Sequence, residues 1–224
     1  MLAEWTAECG VDAPMLVVPW SGSQPGSQPG SSPDTHSGAQ DGARFVNLRE
    51  EPYSIAEIPE AERYPDLARA LRALNANRSP FLTAKCDAWA LSARDSAAEL
   101  EPMRKELMLQ EDEATFAFTS YIDLLWRERA IFASAHQQQD RLDRVVRRAS
   151  KLPHAESMLQ CVLRPAMIEL SAPLEGFATT LYVTSLGTDA ETAGRRWASA
   201  LEDVVDLLRS REFEVHRASV TIDS

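Results

Sequence analysis

A chain of 224 residues with a hydrophobic fraction of 44% and a charged fraction of 25% has room for one large domain or two small ones, and its composition is ordinary for a globular protein. Its formal net charge of -11 repels phosphate backbones and argues against nonspecific nucleic-acid binding. The cysteines, Cys9, Cys86 and Cys161, are too few and too widely spaced for a disulfide framework, and no apolar run is long enough to span a membrane.

Met1 to Gly10 lacks a basic stretch followed by an apolar run, so no secretory leader is expected and the cytoplasm is the default compartment. Arginine outnumbers lysine and alanine is abundant, which reads as the coding bias of a GC-rich bacterium. Met15 to Trp20 (MLVVPW) is a short β-branched run and predicts a strand. Residues 21–43 repeat the tetrapeptide SQPG and offer almost nothing to bury, so a disordered low-complexity insertion is expected there. Phe45 to Glu50 resumes strand character, and the two strands around the insertion predict a hairpin with a lengthened tip.

Pro59 and Pro65 each suit a first helical position. Leu67, Ala70, Leu71 and Leu74 follow at helical spacing, with Asn75 as the stop. Phe81 to Leu91 predicts a strand. Ser92 to Glu113 predicts a helix through a Ser96/Glu99 capping box and the row Leu100, Met103, Leu107, although Pro102 and the acidic end weaken it. Thr115 to Leu125 is rich in aromatic and β-branched residues and predicts a strand. A helix from about Glu128 to Ser150 carries the stripe Ile131, Ala135, Leu142, Val145, Ala149, interrupted by Gln138. Its mixed charges, Arg141, Arg144, Arg147 and Arg148 beside Asp140 and Asp143, suit a solvated helix face. Met158 to Leu170 and Phe177 to Leu186 predict two strands joined through Pro173 and Gly176. The last helix has a Thr188/Glu191 capping box and the row Ala193, Trp197, Leu201, Val204, Leu208. Phe213 to Ile222 has no clean period.

The elements read as a repeated ββα order. The expectation is a single α+β domain over residues 1–224, an antiparallel sheet with helices packed on one face. Read from Phe45, the order contains the βαββαβ of a ferredoxin-like domain. That fold hosts many unrelated functions and by itself names no activity.

Strand alternation supplies the one site argument. Successive side chains point to opposite faces. Leu82, Ala84, Cys86, Ala88 and Ala90 form one face of their strand, with Thr83, Lys85, Asp87 and Trp89 on the other. Phe116, Phe118, Ile122 and Leu124 oppose Thr119, Tyr121 and Asp123; Phe177, Leu181 and Val183 oppose Thr180, Tyr182 and Thr184. Gln160 and Arg164 share a phase and join the polar side. The candidate binding face is therefore Lys85, Asp87, Trp89, Tyr121, Asp123, Arg164 and Tyr182. It has two readings besides a wet sheet face with cross-strand pairs. Trp, Tyr and Arg are the residue types of interaction hot spots, which suits a protein partner or a homodimer. Asp87 and Asp123, with Lys85 and Arg164, are the acid/base candidates of a small-molecule enzyme.

No cofactor is expected, because the chain has neither a phosphate loop nor a dinucleotide fingerprint. No metal is expected, because there is no CxxC and no Cys/His pair at ligand spacing. The histidines His36, His136, His154 and His216 make no nucleophile–base spacing. Cys9 in Glu8-Cys9-Gly10 is the one thiol placed to be exposed and oxidisable.

Overall fold

The computed structural model describes residues 1–10, 12–19, 46–169, 172–210 and 213. The low-complexity insertion at 21–43 and the final segment, apart from Phe213, lie outside the described residues. Strands β1 (Leu2–Ala7), β2 (Leu16–Pro19), β3 (Phe81–Ser92), β4 (Phe116–Trp126), β5 (Ser157–Glu169) and β6 (Leu174–Gly187) make one sheet. Its order is β1-β5-β6-β4-β3, with β2 also beside β5. The inner pairings and the β3–β4 pair are antiparallel, whereas β1 and β2 run parallel to β5. The helices are α1 (Pro59–Arg63), α2 (Pro65–Leu74), α3 (Ala93–Glu106), α4 (Arg129–Phe132), α5 (Ala135–Ala149) and α6 (Ala190–Leu208). The α+β expectation holds, with a mixed and mostly antiparallel sheet.

The packed side of the sheet is where the predicted stripes meet. Leu67, Leu71 and Leu74 of α2, Leu142 and Val145 of α5, and Trp197, Leu201 and Val204 of α6 are all buried in one core. They lie with Ile122, Leu124, Leu159, Leu163, Leu181 and Val183 of the strands. Burying such side chains is the main stabilising term, about 1.5–3 kcal/mol for each large aliphatic or aromatic group. The polar tips in this layer are paired. Trp197 Nε1 donates to Ser120 Oγ at 2.9 Å, and Trp5 Nε1 on β1 donates to Asp143 on α5 at 2.7 Å.

A proline explains why the parallel edge comes in two pieces. In β5, Leu163 faces Ala7 of β1 and Ala166 faces Leu16 of β2. Arg164 and Pro165 fall between. Pro165 has no N–H to give to a ladder, so the neighbouring chain leaves the sheet after β1 and returns as β2. Pro165 lies opposite Phe177 on the other side. The Phe177 carbonyl accepts a hydrogen bond from Gln138 Nε2 at 2.8 Å. That same amide donates to the carbonyls of Ile131 and Phe132 at 3.2 and 3.3 Å. Gln138, fully buried, thus interrupts the apolar stripe in order to close backbone groups at the end of α4 and the start of β6.

Several expectations need correction. Residues 46–50 are not a strand but an irregular and turn segment, and β2 pairs with β5, so the predicted hairpin around the insertion does not form. The first strand is Leu2–Ala7, which had no assignment. The helix expected over 128–150 is two helices, because Ser134 caps α5 by accepting from the Gln137 amide at 3.3 Å. At α6 the cap is Asp189, which accepts from Thr192 N at 2.8 Å, so the cap lies one residue later than the predicted Thr188. Helix α3 separates β3 from β4 and bends at Ser96 (φ -138, ψ 41), the predicted cap residue. It packs on the side of the sheet opposite α2, α5 and α6, placing Leu100 against Ala117 and Leu186. Helices therefore occupy both faces.

Candidate functional site

The side of the sheet away from α2, α5 and α6 carries the predicted residues in register. Asp87 faces Tyr121 across β3–β4, Tyr121 faces Tyr182 across β4–β6, Tyr182 faces Gln160 across β6–β5, and Gln160 faces Glu4 on β1. One row thus crosses five strands. The adjoining row holds Trp89, Thr119 and Thr184. Aromatic rings form the central strip: Trp89 and Tyr121 meet edge-on at 6.3 Å between centroids, and Tyr121 and Tyr182 are tilted at 6.0 Å. Such spacings favour ring–ring attraction beyond area burial. Gln160 Nε2 donates to Glu4 at 2.6 Å, which closes the β1 end of the row.

A β-bulge sets where Lys85 and Asp87 point. Thr83 faces Leu124 and Cys86 faces Ile122, so Ala84 and Lys85 together stand opposite Asp123. Asp87 and Trp89 keep the predicted face. Thr83 does not: it belongs to the helix side, where its hydroxyl and amide bond to the Asn75 side chain at 2.8 and 3.2 Å. Asn75 thereby ends α2 and ties it to β3. The extra residue reverses the odd–even phase, and simple alternation cannot show that.

The face is less wet than its composition suggests. Thr119, Asp123, Thr180 and Thr184 are buried, whereas Asp87, Trp89, Tyr121, Gln160, Arg164 and Tyr182 are half-buried and Lys85 is exposed. The Thr119 and Thr184 hydroxyls pair at 2.6 Å, and Thr180 donates to Asp123 at 2.5 Å. Burial pushes the Asp123 carboxyl above the usual carboxylate range, although the Thr180 hydrogen bond and the charges of Arg164 and Lys85 oppose that shift. Arg164 also pairs with Glu8 at 3.3 Å, in the gap that Pro165 opens. Desolvation, followed by Asp123 and Asp87, pushes the Tyr121 phenol up. The structure thus brings Lys85, Asp87, Trp89, Tyr121, Asp123, Arg164 and Tyr182 to one face. Sequence reading overlooked Glu4 as a member, because the first strand was not recognised. A shallow depression of about 140 Å³ lies among Glu4, Thr6, Gln160, Val162 and Tyr182.

The thiols are poorly placed for redox chemistry. Cys161 is buried and pushed up to about 12 by desolvation. Cys86 is pushed up to about 12 by burial and then by Glu60, Asp87 and Asp123. Even exposed Cys9 is shifted upward, by desolvation. None is favoured as a thiolate at neutral pH. Among the described residues no helix is long and apolar enough to cross a membrane. No group of His, Cys, Asp and Glu among them is arranged to hold a metal ion. No protein-family model, curated protein or solved structure matches the chain.

Proposed function

We propose that the protein is a non-catalytic binding or accessory module that acts through the aromatic strip of its sheet, on a protein partner or a second copy of itself. The observation that carries this reading is the continuous row Asp87, Tyr121, Tyr182, Gln160 and Glu4, with Trp89 beside it. Rigid aromatics flanked by polar groups give contact area at small entropic cost. Their side chains stand on paired strands, so little ordering remains to be done on binding.

The βαββαβ order read from Phe45 loses its first strand, because residues 46–50 are not one; the order of β4, α5, β5, β6 and α6 instead supports a ferredoxin-like relationship in rearranged form. β4 and β5 are parallel to each other on either side of β6, and β3, earlier in the chain, fills the place beside β4. The test of the binding role is light scattering after size exclusion, together with affinity capture, on the wild type and a Tyr121→Ala/Tyr182→Ala variant. The expected result is a mass above the monomer, or a retained partner, that is lost in the variant while the melting temperature holds. A wild type that remains a monomer and retains no partner overturns it.

A second reading rests on Asp123. A buried carboxyl held above its usual range, with a lysine and an arginine acting on it, suits the acid/base group of a small-molecule enzyme. That reading requires turnover that disappears in Asp123→Asn.

A further inference from the structure

The two edges of the sheet are built differently. β3, at one edge, carries features that turn foreign strands away: a bulge and, within it, Lys85. β1, at the other edge, carries neither. Leu2–Ala7 has no lysine, arginine, proline or glycine and runs beside β5 without a break in register. Among the described residues nothing pairs with its outer side, and Leu2, Glu4, Thr6 and Ala7 are exposed.

We infer that β1 pairs with β1 of a second copy of the chain, antiparallel about a twofold axis at Trp5, so that the two sheets become one. This contact goes beyond the aromatic strip and does not depend on it, because it uses the backbone edge of the sheet and not its face.

The ladder to β5 fixes which backbone groups of β1 are free. The Glu8 amide donates to the Leu163 carbonyl at 2.8 Å. Successive residues of a strand turn their backbone groups to opposite sides. Glu4 and Thr6 therefore also bond toward β5, and the N–H and C=O of Ala3, Trp5 and Ala7 point outward. A twofold axis at Trp5 sets Trp5 against Trp5 and Ala3 against Ala7 of the other copy. All are outward residues, and each pair exchanges both of its backbone hydrogen bonds. Side chains select this register. It places Glu4 opposite Thr6 and opposes no like charges. An axis at Glu4 would set Glu4 against itself, and an axis at Thr6 would set Glu4 against Glu8, each a repulsive cross-strand pair. The Glu4 carboxylate already accepts from Gln160 on β5 at 2.6 Å, so it leans away from the incoming strand.

Charge on α5, the helix packed on β1, makes a second copy the fitting occupant. Trp5 Nε1 donates to Asp143 at 2.7 Å. Asp140, Asp143 and Arg147 share one helical stripe, are all exposed and so lie along the open edge. The stripe is acidic toward the start of the helix and basic toward its end. A twofold axis runs two such stripes in opposite directions and turns Asp140 of each copy toward Arg147 of the other.

Analytical ultracentrifugation of the full chain over a concentration series tests this, with a reversible dimer as the expected result. Ala7→Pro removes an outward N–H and none of the bonds to β5, and should leave a folded monomer. Thr6→Glu should weaken the dimer about fivefold and Thr6→Lys tighten it about as much, through the two pairs with Glu4. Asp140→Arg and Arg147→Asp should each weaken it, and an equimolar mixture of these two variants should associate as the wild type does. β1 amides should exchange fast with deuterium in the dilute monomer and more slowly as concentration rises. A wild type that stays monomeric, a folded Ala7→Pro variant that still dimerises, Thr6→Glu and Thr6→Lys acting in the same direction, or a mixture no better than its components would each overturn the assignment. So would a monomer that captures a different protein through β1, lost in Ala7→Pro. The Tyr121→Ala/Tyr182→Ala variant should remain a dimer and lose only a partner held by the strip. A dimer that dissolves in that variant places the contact on the strip and overturns the edge pairing, whereas a dimer sensitive only to the β1 and α5 changes, with no partner lost from the strip, overturns the strip reading alone.

Discussion

Two buried polar side chains set the energetics at the scale of single residues, and they act in opposite directions. Gln138 donates to the Phe132 carbonyl and to the Phe177 carbonyl, whose partner across the ladder is Pro165 and has no N–H to give, so removing it takes that donor from both. Gln138→Ala should destabilise the fold by about 1–3 kcal/mol, the cost of unpaired buried backbone groups, as read from urea midpoints at constant slope. Asp123 is the reverse case. Its folded-state pKa lies above that of an exposed carboxyl. Below the unfolded value both states are protonated and the group has no effect on stability. As pH rises past that value the unfolded chain ionises first, and the native state loses stability until the buried carboxyl ionises too. Asp123→Asn, which keeps an oxygen for the Thr180 hydroxyl, should therefore raise the melting temperature at pH 7, with the gain vanishing near pH 3. A gain that grew on acidification would show that the attraction of Arg164 and Lys85 outweighs burial. Gly176 shows how tightly α4 approaches β6. A Cβ there would stand 2.5 Å from the Phe132 carbonyl oxygen, so Gly176→Ala should cost about 1–3 kcal/mol through backbone displacement, measured by the same denaturation curves.

At the scale of elements, ends and interruptions carry the information. Helix α5 exists separately from α4 because Ser134 offers its hydroxyl to the Gln137 amide, satisfying one of the donors that every helix start leaves open. Ser134→Ala should lower stability by about 1 kcal/mol without changing the fold, a difference visible by thermal denaturation. The two prolines at the starts of α1 and α2 were legible because a missing N–H costs nothing there. The proline within β5 was equally visible in the sequence but is informative only through its neighbour: it reports a break in the adjacent strand, not in its own. The bulge in β3 left no such mark. Nothing in Thr83-Ala84-Lys85-Cys86 distinguishes a regular strand from one that gains a residue against Asp123, and so Thr83 was read on the wrong side.

For the molecule as a whole, the sheet is strongest in the middle. β4, β6 and β5 have partners on both sides, whereas β1 and β2 are short parallel edge pieces and β3 is a bulged edge. Opening free energies should follow that order. Hydrogen–deuterium exchange read by mass spectrometry should find β4 and β6 amides slowest and β1 and β2 fastest. Protection of β1 equal to that of β6 would mean that the edge is held by more than its ladder and the Trp5–Asp143 bond.

The alternating and helical periodicities determined the α+β class, the positions of β3, β4, β5, β6 and most helical stripes, and the grouping of Lys85, Asp87, Trp89, Tyr121, Asp123, Arg164 and Tyr182. Such patterns encode which side of a strand or helix meets water, and that is a local property of residue types. Strand order, the parallel pairing of Leu2–Ala7 with β5, the placement of α3 on the opposite face and the burial of Asp123 were decided only in three dimensions. Each depends on which element lies alongside, and a one-dimensional pattern of apolar and polar residues carries no information about its neighbours in space.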